Sequence, residues 1–306
     1  MNNAEFKDYI REKRSTLSNS SVNTYSSILR SLYKKVFGEG ALEPKRFDEA
    51  KKIIAYLKDV PPNKRKTILS ALVIITDKKE FRELMLSDIQ DYNNIISKQE
   101  KSDQQEKNWV TSEEIDQKFK ELQKIALPLM KKESLSNAEL QKVQNYIILA
   151  LLSGKGGIMP RRSKDYVDMK LRNVDKSKDN YISDDEKHLV FNSYKTAHAY
   201  GEQKVKLPVK LRNLLRQWKA LNPHDYLLID SNGAPLGKAG QSANGSVKLN
   251  QRLEKIFGKK AGVNMMRHST LTEKYGDLIR KKDDLKKDLE NMGSSMQMSD
   301  TYIKKD

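Results

Sequence analysis

Apolar residues recur at helical spacing through most of the first hundred residues. In the stretch SSVNTYSSILRSLYKKVFG, apolar side chains fall three or four residues apart after a Ser-rich start, which predicts an amphipathic helix. Similar patterns predict helices over 48–60, 63–76 and 81–96, and Pro61-Pro62 separates the first two of these. The N-terminal part of the chain is therefore predicted to be a domain of short helices.

A polar run with mixed charges, SKQEKSDQQEK, follows at residues 97–107 and contains no apolar residue. Runs of this composition are typical of linkers. We therefore predict a helical domain over 1–96, a linker over 97–108 and a second domain over 109–306.

The second domain is predicted to be mostly helical with one strand-rich stretch. Thr111 and Glu114 form a capping box that begins a helix, and helical patterns continue to Leu152. Short apolar runs at 189–191 and 205–207 flank the polar turn KTAHAYGEQ and predict a β-hairpin. Helices are predicted again over 209–220, 246–257 and 271–291. The predicted fold class is mainly α with a small antiparallel β-sheet.

The charge balance indicates a polyanionic partner. The 306 residues include 58 Lys+Arg against 41 Asp+Glu, a net charge of +17. Residues 151–306 contribute most of it, with 31 basic against 19 acidic residues, or +12. Each phosphate that a protein neutralises releases counterions, so this excess favours nucleic acid, with an anionic membrane surface as the second interpretation.

Composition excludes several kinds of site. The absence of cysteine rules out disulfides, thiolate zinc sites and cysteine nucleophiles. The four histidines lack the spacing of a metal site, and Lys155-Gly156-Gly157 lacks the spacing of a nucleotide-binding loop, so we predict neither a metal nor a cofactor. The longest apolar run, 146–152, is too short to cross a bilayer, and the N-terminus does not resemble a signal sequence. We expect a soluble, intracellular protein without a membrane partner.

Candidate chemistry is concentrated in the second domain. Arg267 lies in GVNMMRHSTLTEKY, and Tyr302 follows 35 residues later in MGSSMQMSDTYIK. A tyrosine beside a fixed arginine can attack a phosphodiester, and arginine is the best side chain for holding phosphate oxygens. A second pair of arginines, Arg161 and Arg162, follows a glycine-rich turn, and Lys195 lies at the tip of the predicted hairpin as a candidate general acid.

In these motifs the chain resembles the tyrosine recombinase (phage integrase) family. The matching pieces occur in the family's order, namely Arg161-Arg162-Ser163, Lys195-Thr196, Arg267-His268-Ser269, and Met292-Gly293-Ser294-Ser295 followed by Tyr302. The N-terminal helices resemble the family's core-binding domain, so the likeness spans nearly the whole chain. The spelling PRRSKDY is similar to integrase-like proteins of large eukaryotic DNA viruses, virophages and related mobile elements.

The resemblance implies a two-domain, C-shaped clamp around double-stranded DNA, with the catalytic fold in the C-terminal domain. It implies that Tyr302 forms a 3′-phosphotyrosyl link, that Arg161 and Arg267 hold the scissile phosphate, and that Lys195 protonates the leaving 5′ oxygen. A homotetramer on paired DNA sites is implied as well. The protein is then expected where the DNA is, in a nucleus, a nucleoid or a viral factory.

Two positions depart from the family pattern. Asn264 stands where the family usually has histidine three residues before the second arginine, and Ser294 stands where it usually has His or Trp. Asparagine can donate a hydrogen bond to a phosphate oxygen but cannot transfer a proton. Asn264, His268 and Ser294 are therefore candidates for supporting roles, while His268 could equally be a buried, hydrogen-bonded helix residue.

Further cations are candidates for DNA contacts. Lys64, Arg65 and Lys66 occupy the first turn of a predicted helix, where positive charge opposes the helix dipole and so indicates an external partner. Arg162 is a DNA-binding candidate, and it could also replace Arg161 as the residue that holds the phosphate.

Two other functions stay open from the sequence. A type IB topoisomerase uses the same Arg-Lys-Arg-Tyr chemistry as a monomer. A DNA-binding protein without catalysis, on a degenerate recombinase scaffold, would also fit the departures at Asn264 and Ser294.

Overall fold

The computed structural model describes residues 1–237 and 242–304. Its contacts divide the chain into two compact units, Met1–Lys101 and Ser102–Asp306. The stretch 97–108, predicted as a linker, contains the end of one helix and a further six-residue helix. A capping box begins that short helix, because Ser102 and Gln105 each bond the other's backbone N–H.

The regular elements of the first unit are all helices in the described residues. Its elements are α1 (Asn3–Lys13), α2 (Asn19–Phe37), a 3-10 helix (Pro44–Asp48), α3 (Ala50–Leu57), α4 (Pro62–Thr76) and α5 (Lys79–Ser97). The apolar positions that predicted the helices form one core, in which Phe6, Leu29, Phe47, Ile53 and Leu72 are fully buried. The described elements of this unit are helices, as the apolar spacing predicts.

The second unit begins with four helices and a small sheet. Its first elements are α6 (Asp103–Asn108), α7 (Ser112–Leu129), α8 (Asn137–Leu152), α9 (Ser163–Val167), β1 (Tyr181–Ile182), β2 (His188–Phe191), α10 (Ala197–Tyr200) and β3 (Gln203–Lys206). The predicted capping box at Thr111 and Glu114 is confirmed. The second half of α8, residues 146–152, is buried on all sides in the core, which explains its continuous apolar sequence.

The predicted hairpin is confirmed as the antiparallel pair β2–β3. Leu189 pairs with Val205, and Phe191 pairs with Gln203. The sheet has a third strand, β1, paired with β2, and the turn between β2 and β3 contains the short helix α10. Neither was predicted, because two strand residues and one helical turn leave too short a pattern to read.

Helices complete the second unit. They are α11 (Val209–Leu221), α12 (Ser242–Phe257), α13 (Val263–Asn291), a 3-10 helix (Met296–Met298) and α14 (Ser299–Tyr302). Helix α13 has 29 residues and begins eight residues before the predicted start at Leu271. No described helix is both long enough and apolar enough to cross a membrane.

Candidate functional site

A tight glycine turn connects α8 to α9. Gly154 and Gly157 have φ angles of 76° and 80°, in the left-handed region that favours glycine. A Cβ added to Gly156 would lie 2.2 Å from the carbonyl oxygen of Ala150 in α8. A side chain at Gly156 would push the turn away from α8, and one at Gly154 would meet Thr270 of α13, so the glycines fix where the following arginine pair enters the structure.

The lysine in this turn serves the fold. The Lys155 ammonium lies 3.1 Å from an Asp116 carboxylate oxygen and 3.3 Å from a Glu273 carboxylate oxygen. It therefore ties the turn to α7 and α13, and its charge is neutralised within the unit.

Arg161 contacts the hairpin through a hydrogen bond and two aromatic rings. Its Nε donates to Asp165 Oδ2 at 2.8 Å, and its Nη1 donates to Gln203 Oε1 at 2.8 Å. The guanidinium carbon lies 4.1 Å from the ring centre of Phe191 and 5.1 Å from that of Tyr194. These contacts join α9 to β2, β3 and the turn between them, so Arg161 sets the position of the hairpin relative to α9.

Asp165 is the centre of an arginine cluster. Its side chain is only 3% exposed, and its Oδ1 has no hydrogen-bond partner among the described residues. Burial raises the pKa of Asp165, while the positive charges of Arg161, Arg162 and Arg267 act in the opposite direction. Arg161 thus bonds this carboxylate directly, and the charges of Arg162 and Arg267 lie near enough to act on it, which leaves a surplus of two positive charges in this group.

Arg267 reaches the cluster from a distant part of the sequence. It lies one turn into α13, whose start is fixed because Asn250 Oδ1 of α12 accepts from the Val263 N–H at 3.0 Å. The Arg267 side chain is half-buried. The nearby Ser269 Oγ is buried and has no hydrogen-bond partner in the described part of the chain. Arg267 is therefore held between the core and the surface.

The predicted supporting residues of α13 face outward. Asn264 and His268 are both exposed, and their side chains make no hydrogen bond among the described residues. The interpretation of His268 as a buried, hydrogen-bonded residue is wrong, because its side chain lies at the surface.

Arg162 differs from Arg161 in being exposed. It is the N-cap residue of α9, and within residues 1–237 and 242–304 no hydrogen bond or ion pair engages its side chain. Two N–H groups of Arg161 are already bonded inside the unit. Arg162 therefore has more free donors for an external anion than Arg161 has.

Lys195 lies in the turn between β2 and β3 with an exposed side chain. The preceding residue, Tyr194, is buried against Arg161, and its hydroxyl donates to the Gly201 carbonyl at 2.7 Å. The backbone that carries Lys195 is thus anchored to the same arginine that contacts Asp165.

Tyr302 is not brought beside the arginines within the described residues. It ends α14 with a side chain that is 54% exposed, and none of its described contacts is with an arginine. Ser294 is half-buried, and its backbone N–H donates to the Leu289 carbonyl at 2.7 Å, at the far end of α13 from Arg267. Tyr302 and Ser294 thus belong to the end of α13, whereas Arg267 belongs to its start.

The three predicted DNA-binding cations of α4 have different surroundings. Arg65 is bonded to the buried carboxylate of Asp88 through Nε at 2.9 Å and Nη2 at 2.6 Å, so its charge serves the fold of the first unit. Lys66 is half-buried with its ammonium over the Tyr92 ring. Lys64 is exposed and has no described partner. The prediction that Arg65 serves an external partner is therefore corrected.

Asp165 and Gln203 were missed in the sequence. An acidic residue close behind an arginine pair at a helix start is a usable signal for Asp165. No local pattern identifies Gln203, because its partner Arg161 is 42 residues away. Among the described residues, no group of three or more His, Asp or Glu side chains is placed to hold a metal ion.

Comparison with known proteins gives little beyond these observations. No protein-family model matches the chain, and no curated protein matches it. Among solved structures, a crystal structure of XerA recombinase is similar over 89% of this chain and 82% of its own, with 14% identity and a TM-score of 0.34. A TM-score this low carries no argument about fold or function.

Proposed function

We propose that this protein cuts and rejoins double-stranded DNA through a covalent tyrosine intermediate, as a tyrosine-type DNA recombinase or integrase. The observation that supports this most is the cluster around Asp165, where arginines from two distant segments leave a surplus of positive charge. Fixed guanidinium groups at a partly exposed surface are suited to a phosphodiester, because they match its two free oxygens.

In the proposed reaction, the Tyr302 phenol oxygen attacks the scissile phosphorus. A bond forms between that oxygen and phosphorus as the phenol proton passes to solvent, and the bond to the 5′ oxygen of the DNA breaks. Lys195 gives a proton to the departing 5′ oxygen, while Arg162 and Arg267 neutralise the charge that develops on the phosphate. Reversal with a second 5′ hydroxyl rejoins the strand, so the energy of the phosphodiester bond is kept.

From the sequence pattern, Arg161 was expected to hold the scissile phosphate. Its contacts in the structure favour a different role. Arg161 bonds Asp165 and Gln203 inside the unit, whereas Arg162 is exposed beside it. We propose that Arg162 contacts the phosphate and that Arg161 positions Asp165 and the hairpin.

The charge distribution supports DNA as the partner. Residues 151–270 hold 23 basic against 11 acidic residues, or +12, whereas residues 271–306 hold eight of each. The excess therefore coincides with the part of the sequence that contains the arginine cluster and the hairpin lysine. Recombination by this chemistry uses four copies on two duplexes.

The test uses a duplex nicked just beyond the cut site, so that the released fragment diffuses away and traps the covalent intermediate. Because the target sequence is open, the substrate is a pool of nicked duplexes of random sequence, and the adduct is detected as a labelled strand that stays on the protein in denaturant. Wild type should form the adduct. Tyr302→Phe should lose it and keep its DNA affinity.

Tyr275→Phe is the matched control, since Tyr275 is also exposed and lies eight residues after Arg267 on α13. Tyr275→Phe should form the adduct as wild type does. An adduct that survives Tyr302→Phe and disappears in Tyr275→Phe would move the nucleophile to Tyr275. No adduct from any variant, with DNA binding intact, would overturn the enzymatic function.

A DNA-binding protein without catalysis is the second candidate. The position of Tyr302 favours it, because this tyrosine lies at the other end of α13 from Arg267. Binding without any adduct in the same experiment is the outcome that this alternative predicts.

A further inference from the structure

We infer that the second unit binds a small phosphate monoester with an apolar body, in a cavity lined by α7, α8 and α12. The cavity has a volume of about 730 Å³, and residues of the segment 230–236, after α11, complete its wall. None of the residues proposed for the cutting reaction lines it. The inference is therefore independent of the proposed function, and either can fail without the other.

Arg252 of α12 lines this cavity without a counterion of its own. Its Nη2 donates to Gln141 Oε1 of α8, which is an uncharged acceptor. Its Nη1 is buried and has no hydrogen-bond partner among the described residues. Burial lowers the pKa of Arg252, and the negative charge of Asp230 acts in the opposite direction. The protein thus holds a partly enclosed positive charge that its own hydrogen bonds leave unsatisfied.

The carboxylates of the cavity are already used by other groups. Asp230 Oδ1 accepts from two backbone N–H groups of its own loop, at 2.9 and 3.1 Å, and its Oδ2 lies 3.4 Å from the Lys248 ammonium. The other carboxylate, Glu121, lies 2.8 Å from the Lys118 ammonium. Each acid is therefore matched by a lysine, and the charge of Arg252 stays unmatched.

Two other enclosed arginines have their acceptors within the fold. Arg65 bonds the Asp88 carboxylate, and the Arg172 guanidinium donates to three backbone carbonyls. A buried charge without such acceptors is costly, because the group has lost its hydration. Arg252 differs from both, and an anion in its cavity would supply the negative charge that the fold omits. We expect the anion to turn the guanidinium so that Nη1 is bonded as well.

The unpaired atoms of the cavity select among anions. Asn145 Oδ1, one turn after Gln141 on α8, is buried and also lacks a partner in the part of the chain that the structure describes. This oxygen accepts hydrogen bonds, whereas Arg252 donates them. A phosphate monoester that carries one proton serves both, because its charged oxygens accept and its hydroxyl donates. A phosphodiester of DNA has no such hydroxyl.

The remaining walls fit a ligand with an apolar body. Leu122 and Ile125 of α7 and Ile256 of α12 line the cavity, and Ile125 is 47% exposed. Lys255 also lines it, and this lysine is exposed without a described hydrogen bond or ion pair. The site thus combines a guanidinium, a second free cation and an apolar surface, a combination suited to a phosphorylated small molecule.

Binding of phenyl phosphate to the full chain tests the inference directly. Titration calorimetry at pH 6 measures the affinity, because about half of a phosphate monoester carries a proton there. Arg252→Gln removes the charge and keeps an amide for Gln141, so it should weaken binding about tenfold or more. Arg216→Gln, at an exposed arginine of α11 outside the cavity, is the matched control and should bind as wild type does. Equal affinities of wild type and Arg252→Gln would overturn the inference.

Thermal unfolding gives a second readout. Phenyl phosphate should raise the unfolding temperature of wild type and leave that of Arg252→Gln nearly unchanged, because a ligand stabilises only the protein that binds it. An equal rise in both would show general screening of a basic protein, and this result would contradict a specific site.

Asn145→Asp offers the cavity a carboxylate of its own. Without ligand it should unfold at a higher temperature than wild type, because Arg252 gains a counterion. It should also lose most of its affinity for phenyl phosphate, since the new charge repels the anion. An Asn145→Asp variant that binds phenyl phosphate as wild type does would count against the inference, even if Arg252→Gln failed to fold.

DNA is the competing source of phosphate. If Arg252 contacted a duplex, Arg252→Gln would weaken DNA binding and reduce the slope of log affinity against log salt by about 0.9. We expect both the duplex affinity and this slope to equal those of wild type. A weaker affinity with a shallower slope would assign Arg252 to DNA and overturn the small-ligand site. Loss or survival of the tyrosine adduct bears only on the proposed function.

Discussion

Arg161 and Asp165 form a hydrogen-bonded ion pair at 2.8 Å that is almost closed to solvent, with 20% and 3% of their side chains exposed. The pair lies between α9 and the hairpin, because the same guanidinium bonds Gln203 and covers the Phe191 ring. The adjacent Arg162 is exposed. The two neighbouring arginines thus have different surroundings. Arg161 is expected to contribute to stability, and Arg162 to phosphate binding.

The first prediction compares Arg161→Ala with Arg162→Ala. Arg161→Ala leaves a buried carboxylate without its partner and should lower the free energy of unfolding by about 3–5 kcal/mol. Arg162→Ala should change stability by less than about 0.5 kcal/mol and slow adduct formation by about 10²–10³. Urea unfolding and the rate of adduct formation measure the two effects. A stable but inactive Arg161→Ala beside an active Arg162→Ala would reverse the assignment.

The sequence could not decide between these two arginines. It located the pair after a glycine-rich turn, because the turn signal is local. Which of them faces the core depends on Phe191 and Gln203, which lie 30 or more residues away and reach α9 only in the folded chain. The capping box at Thr111 and the β2–β3 hairpin were predicted correctly because their patterns lie within a few residues.

Local patterns also failed to predict the role of Arg65 and the full length of α13. Asp88 is 23 residues after Arg65, on the next helix, so the first-turn pattern did not show the pair. In α13, no Gly or Pro interrupts the chain from Val263 to Tyr275, and the helix therefore includes the eight residues before its predicted start at Leu271.

The second prediction concerns Lys195 as the general acid. Lys195→Ala should slow the cutting of an ordinary duplex by about 10²–10⁴. A duplex with sulfur in place of the bridging 5′ oxygen needs no proton on its leaving group, so the variant should cut it nearly as fast as wild type does. Lys187→Ala, an exposed lysine before β2, is the control and should behave as wild type on both. Equal slowing of Lys195→Ala on both duplexes would argue against proton transfer.

The third prediction separates Lys64 from Arg65. Lys64→Ala should leave the free energy of unfolding unchanged, weaken DNA binding, and reduce the slope of log affinity against log salt by about 0.9, because one phosphate contact is lost. Arg65→Ala should destabilise the first unit by about 3–5 kcal/mol, because Asp88 is only 1% exposed and would lose its partner. Chemical unfolding and DNA binding at several salt concentrations measure both. An unchanged salt slope for Lys64→Ala would exclude Lys64 from the DNA contact.

The fourth prediction is a pH dependence from Glu114. Lys259 donates to both carboxylate oxygens of Glu114, at 2.7 and 2.8 Å, which ties the start of α7 to the chain after α12. Burial raises the pKa of Glu114, but the hydrogen bonds from Lys259 and the Thr111 N–H outweigh it, so the pKa lies below its ordinary value of 4.5. A depressed pKa means that folding favours the ionised form. The pair therefore stabilises the fold above about pH 4.5, and this stabilisation disappears as the pH falls through the lowered pKa.

Glu114→Gln keeps an oxygen for the Thr111 N–H and removes the charge. At pH 7 it should lower the free energy of unfolding by no more than about 1 kcal/mol, since the Glu114 side chain is 43% exposed and solvent screens the pair. As the pH falls through the lowered pKa of Glu114, the difference from wild type should shrink, because wild-type Glu114 then becomes neutral. Glu133→Gln, at an exposed position without a described partner, should match wild type throughout. A Glu114→Gln difference that grows as the pH falls would show that the carboxylate is not stabilised by Lys259.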